Sequence, residues 1–114
     1  MKRVLVVDDD EDLRELITHV LAREFEVVEA DRGEQALALL SNGEFDAVVL
    51  DYMMPGLDGA DLIARARAEG HALPIVLTSA AIGRGEAMAM GADDFVPKPF
   101  DVAELAERVE RAAA

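Results

Sequence analysis

Three short apolar runs constrain this chain more than any other feature: Val4-Leu5-Val6-Val7, Ala47-Val48-Val49-Leu50 and Ile75-Val76-Leu77. They are rich in β-branched residues, four residues or fewer in length, and do not alternate with polar residues. A strand wetted on one face has to alternate, so these read as strands covered on both faces. Phe25 to Glu29 and Phe95-Val96 are weaker strand candidates. Helical patterns lie between them. Leu13, Leu16, Ile17, Val20 and Leu21 form one stripe at i, i+3, i+4, i+7, i+8. Ala36, Leu37 and Leu40, then Leu62, Ile63 and Ala66, and finally Val102, Leu105, Ala106 and Val109 continue the theme. The order is β-α five times. That implies a parallel sheet with right-handed crossovers and helices on both faces. The units do not resemble one another in sequence, which excludes a solenoid.

A chain of 114 residues has room for one domain, expected over residues 1–114, and 52% hydrophobic residues can supply its core. No cysteine is present, so disulfides, thiolate metal sites and cysteine nucleophiles are excluded. Eleven Lys and Arg face 24 Asp and Glu, a net charge of −13. That charge opposes direct nucleic-acid binding and docking on anionic lipid. The apolar runs are far short of a membrane span, and four apolar residues after Met1-Lys2-Arg3 are too few for a signal peptide. The expectation is a soluble, cytoplasmic protein.

In an open parallel sheet a site forms beyond the carboxyl ends of the strands, where the strand order reverses. The residues there are informative. Asp8-Asp9-Asp10-Glu11-Asp12 follows the first strand, Asp51 the third, Thr78-Ser79 the fourth, and Pro97-Lys98-Pro99 the fifth. The sheet gathers these places at one edge. Carboxylates brought together repel, and at least one pKa should rise unless a cation is present. All-oxygen ligands select a hard cation, and an open site with two carboxylates suits Mg²⁺. A lysine and a hydroxyl beside it would complete a cradle for a phosphoryl group. One of the aspartates would be the nucleophile, giving an acyl phosphate. Each feature alone has a plainer reading. Acids at a helix N-terminus complement its dipole by roughly 0.3–1 kcal/mol each, and a lone Asp after a strand caps or turns. The conjunction of all four at strand ends is what points to chemistry.

On these residues the chain resembles the receiver domain of two-component response regulators, over essentially its full length. The matching segments are Val4 to Asp10, Asp51-Tyr52-Met53-Met54-Pro55-Gly56 with Gly59, Ser79-Ala80, and Gly91 to Phe100. The resemblance implies a flavodoxin-like doubly wound α/β fold, (βα)5 with strand order 2-1-3-4-5. It implies that Asp51 is the phosphoacceptor. Asp9, Asp51 and the backbone carbonyl of Met53 would ligate Mg²⁺, with Asp8 acting through water. It makes Lys98 the invariant lysine, with a cis bond to Pro99, and Ser79 the switch hydroxyl, five residues after Pro74. Thr78 is the near miss, since strand neighbours point to opposite sides. Phe95 takes the aromatic switch position. The implied partner is a histidine kinase or phosphotransfer protein, with a downstream output domain or protein. The domain would be a monomer or weak homodimer, and not an enzyme beyond catalysing its own phosphorylation and dephosphorylation.

One departure from the family stands out. Between Ser79 and Lys98 the chain is about three residues short, close to one helical turn. The gap falls in residues 81–90, where Gly83 and Gly85 weaken helix further. A short or irregular fourth helix is expected, anchored by Met88 and Met90 and stopped at Gly91.

Other readings fit less well. Asp8, Asp10 and Asp12 match the start of a calcium loop, but Leu13 stands where Gly is required and His19 where Glu is required. An aspartate-nucleophile phosphatase of the haloacid dehalogenase type, with Asp8 attacking and Asp10 protonating, matches only D-x-D. A receiver-like interaction module that is never phosphorylated does not need the full acidic, hydroxyl and lysine set. Serine hydrolase chemistry lacks its G-x-S-x-G. His19 and His71 read as surface histidines, and Met53, Met54, Met88 and Met90 as loop and core fillers.

Overall fold

The computed structural model describes all 114 residues. Its elements run β1 (Arg3–Val7), α1 (Glu11–Leu21), β2 (Glu26–Ala30), α2 (Gly33–Asn42), β3 (Ala47–Asp51), α3 (Gly59–Ala68), β4 (Ile75–Ser79), α4 (Arg84–Ala89), β5 (Asp94–Pro97) and α5 (Val102–Ala113). The five strands are parallel, in the order β2-β1-β3-β4-β5. This is the flavodoxin-like order expected. No helix is long and apolar enough to cross a membrane.

The strand runs are buried on both faces, as their lack of alternation requires. Every residue of β3 and β4 is buried. Alternation then deals each strand into two cores. Leu5, Val7, Val48, Leu50, Ile75, Leu77 and Phe95 pack against α2, α3 and α4 through Ala36, Leu40, Leu62, Ile63, Ala66 and Ala87. Val4, Val6, Ala47, Val49, Val76 and Val96 pack on the other side against Ile17 and Leu21 of α1 and Leu105 and Val109 of α5. The edge strand β2 is the exception. It starts one residue later than expected, and Glu26 and Glu29 are exposed, because an edge needs cover on fewer sides.

Helix starts follow side-chain chemistry. Asp10, Asp58 and Asp101 cap α1, α3 and α5, accepting from the amides of Leu13, Asp61 and Ala103. The acidic run after β1 is therefore divided. Asp10, Glu11 and Asp12 serve the N-terminus of α1, which leaves Asp8 and Asp9 for the sheet edge.

The fourth helix is short, at six residues. Its anchor differs from the expectation. Ala87 is the fully buried residue of α4, whereas Met88 is 40% exposed. One helical step is about 100°, so only one of these neighbours can face the sheet. Met90 does pack against the core, and Gly91 ends the segment with φ at 103°. Arg84 ties the helix to β5 by donating to Asp94 at 3.1 Å and to the Phe95 carbonyl at 3.2 Å.

Two glycines should respond oppositely to a methyl group. A Cβ on Gly59, where α3 begins beneath β3, would lie 2.8 Å from Tyr52 Cα. Gly59→Ala should therefore destabilise by about 1–3 kcal/mol. Gly85 lies inside α4 with open space around it, so Gly85→Ala should stabilise by about 0.5–1 kcal/mol. Urea denaturation of both variants checks the pair, and a stabilised Gly59→Ala protein would contradict the packing described.

Candidate functional site

Asp8 continues β1, Asp51 ends β3, and Lys98 follows β5, so the carboxyl edge of the sheet brings them together. Asp8 and Asp51 are 2% and 4% exposed, while Asp9 lies in the open. Lys98 Nζ sits 3.2 Å from Asp8 Oδ2 and 3.3 Å from Asp51 Oδ1. Each of Asp8, Asp9 and Asp51 offers one carboxylate oxygen, and these lie within 4.8 Å of one another.

The sequence expectation of a raised pKa in this cluster is met at Asp51. Burial, then the charge of Asp8, pushes its carboxyl up to about 6, against the opposing pull of Lys98. Burial works against the Lys98 charge, but Asp51 and Asp8 outweigh it and raise its pKa. Three carboxylates against one ammonium leave two negative charges when all are ionised. The donor set is oxygen alone, so the cluster suits a hard cation carrying that charge.

Backbone groups hold the cluster in place. The Asp10 amide donates to Asp8 Oδ1 at 2.9 Å, and the Met53 amide to Asp51 Oδ1 at 3.4 Å. Met53 itself lies on the loop after β3, 59% exposed. The Asp8 amide donates to the Ala30 carbonyl of β2 at 3.2 Å. Arg14 of α1 donates to the Asp8 carbonyl at 2.9 Å and to Glu29 at 3.0 Å. The sequence reading missed Arg14. Its one available signal was a lone basic residue just after the acidic turn of α1.

Thr78 and Ser79 end β4, each 1% exposed. Thr78 pairs with Asp51 in the β3–β4 register, and its carbonyl accepts from the Tyr52 amide at 2.9 Å. Strict alternation groups Thr78, not Ser79, with Asp51. Thr78 has the parity of Val76, and Asp51 that of Val49, while Ser79 follows Leu77 on the side of Phe95 and α4. Ser79 Oγ accepts from the Ala81 amide at 2.9 Å at the mouth of the β4–α4 loop. Its carbonyl accepts from the Lys98 amide at 2.9 Å. The Lys98–Pro99 bond is cis.

Asp10, the acid of the D-x-D phosphatase reading, is the cap of α1, its carboxylate accepting from the Leu13 amide at 3.2 Å. His19 is exposed, and His71 is partly buried with Nε2 3.9 Å from Glu69.

Comparison with known proteins gives a consistent result. The family model of the response regulator receiver domain matches residues 4–110. The response regulator MprA of Mycobacterium sp. (strain KMS) is 43% identical over 111 residues, covering 94% of this chain and 48% of that protein. The chain thus spans about half the length of the curated relatives it matches. Among solved structures, the Francisella response regulator 1452 receiver domain superposes with a TM-score of 0.94 at 32% identity, covering 99% of this chain and 97% of that one. Response regulator protein TrrA of Thermotoga maritima, solved in complex with Mg²⁺–BeF, has a TM-score of 0.88 at 36% identity, covering 98% and 99%.

The electrostatics set a pH dependence. Between pH 3.8 and about 6, Asp51 binds more protons folded than unfolded, so its effect is a loss of stability as pH rises through that window. The effect is on the order of 3 kcal/mol. Without metal, Asp51→Asn should be the more stable protein above pH 7 and lose its advantage towards pH 4. Urea midpoints of the two proteins in EDTA across that range check this. An advantage that stays constant across the range would contradict it.

Proposed function

Because this chain belongs to the response regulator receiver domain family, we propose that Asp51 accepts a phosphoryl group from a phosphohistidine on a histidine kinase or phosphotransfer protein. The observation that carries this reading is the buried Asp51 carboxylate at the end of a central strand, within reach of Lys98 and beside Asp8. A carboxylate oxygen of Asp51 attacks phosphorus as the bond from phosphorus to the donor imidazole breaks. The imidazole nitrogen keeps the electron pair and takes a proton. The product is a carboxylic–phosphoric anhydride, which water later cleaves at phosphorus to return Asp51 and phosphate.

Asp9, Asp51 and the Met53 carbonyl would hold Mg²⁺, with Asp8 acting through water. The all-oxygen cluster supports a hard cation there, and the Mg²⁺–BeF complex of TrrA supports magnesium. When bound, the ion neutralises charge on Asp51 and on a phosphoryl oxygen. Lys98 holds a second oxygen and Ser79 a third. The attacking form of Asp51 is the ionised one, so a pKa near 6 leaves it ready at neutral pH.

Ser79 also offers the output. At rest its Oγ holds the Ala81 amide. Turning to a phosphoryl oxygen would release that amide and loosen the loop into α4, on the side of the sheet that carries Phe95. Phosphorylation would thus bias an existing equilibrium, with Phe95 following. The reading takes residues 1–114 as one receiver domain acting in the cytoplasm on an output domain or protein. It catalyses only its own phosphorylation and slow dephosphorylation.

Intact mass after incubation with a small phosphodonor and Mg²⁺ tests this. One phosphoryl group should be gained, and none by Asp51→Asn or in EDTA. Lys98→Ala should slow the gain by about 100-fold. A full-rate gain by Asp51→Asn would sink the assignment.

A further inference from the structure

We infer that Arg14 is a positioning residue for the metal, acting on Asp9 through the Asp8–Asp9 peptide bond. The inference rests on the phosphoacceptor reading above. Its basis is the contrast between the two acids. Asp8 is held at both carboxylate oxygens, by the Asp10 amide and by Lys98. Asp9 is exposed, and its carboxylate makes no hydrogen bond or ion pair. Nothing but its backbone aims it at Asp51.

The peptide bond that leads into Asp9 is the part of that backbone that Arg14 holds. The Asp8–Asp9 peptide unit is planar, so holding its carbonyl fixes the direction in which the chain enters the Asp9 Cα, from which the carboxylate hangs. The carbonyl of this unit accepts from Arg14 Nη1 at 2.9 Å. The same guanidinium donates through Nε to Glu29 Oε1 at 3.0 Å. Its side chain is 15% exposed, against 37% for Glu29. A planar fork fixed at two points cannot follow a turning carbonyl. Arg14 therefore anchors the peptide to the exposed edge strand, and the three carboxylates keep their common focus. Groups that orient ligands from behind commonly govern metal affinity by about 10-fold or more.

Positioning and bare charge predict opposite signs. As a nearby positive charge, Arg14 would repel a cation, and its removal would tighten binding. As a positioning residue, its removal loosens binding.

The experiment is calorimetric titration of the metal-free chain with Mg²⁺ alone. Arg14→Ala should bind about 10-fold more weakly than the parent. Glu29→Gln removes the ion pair but leaves the carbonyl contact, and should stay within about 2-fold of the parent by the same reasoning. Should Arg14→Ala fail to fold, Arg14→Met keeps the buried stem without a donor and should show the same loss. Unchanged or tighter binding by the folded Arg14 variant overturns the inference. So does an equal loss in Glu29→Gln, which keeps an acceptor for Arg14 Nε and would assign the effect to the lost negative charge instead of to positioning. A parent chain that binds no Mg²⁺ would instead overturn the metal-dependent reading on which the inference rests.

Discussion

The ammonium of Lys98, shared by Asp8 at 3.2 Å and Asp51 at 3.3 Å, is the contact on which the rest of the site depends. Both carboxylates are almost fully buried at the ends of neighbouring central strands. Charges placed there cost several kcal/mol unless partnered. Burial first, and then the charge of Asp8, holds the Asp51 pKa up against the pull of Lys98. The fold thus keeps a local electrostatic debt where its strands converge. A cation or a phosphoryl group with its cation can relieve that imbalance, and either would be felt by the elements that frame it.

Those elements are unequal. α1 and α5 close one face of the sheet over a full apolar core, and α1 begins on its own aspartate cap. On the other face, α4 has only six residues and one fully buried side chain, Ala87. Polar contacts stand in for the missing turn. Asp94 accepts from Arg84 of α4 at 3.1 Å and from Arg108 of α5 at 2.8 Å, which joins three elements at one carboxylate. Burial opposes its charge, yet the two guanidiniums and the Phe95 amide hold its pKa below the usual value. Ser79 and Phe95 lie beside this short helix, next to the segment a switch would have to move.

Much of this was legible in the sequence because burial on both faces leaves a plain signature. Runs such as Ala47 to Leu50, short, β-branched and set between helical stripes, fit strands covered on both faces, and the acids and lysine that end such parallel strands meet at one edge. What escaped the sequence depends on contacts between elements. The bond from Arg14 to the Asp8 carbonyl joins a helix to a loop through a backbone atom that no side-chain pattern reveals. Met88 and Ala87 differ by one helical step, and only the packed sheet decides which turns inward. The spacing of five from Pro74 singled out Ser79 over Thr78, whereas the bond from the Ala81 amide to Ser79 Oγ is a loop contact that no sequence pattern shows.

The central claim is that the phosphoryl group resides on Asp51 as an acyl phosphate. Borohydride reduces such an anhydride to the alcohol, leaving homoserine in place of the aspartate. Tandem mass spectrometry of the reduced, phosphodonor-treated chain should then find homoserine at position 51 and nowhere else. Homoserine at position 8 or 9, or a phosphate on Ser79 that survives reduction, would contradict the account.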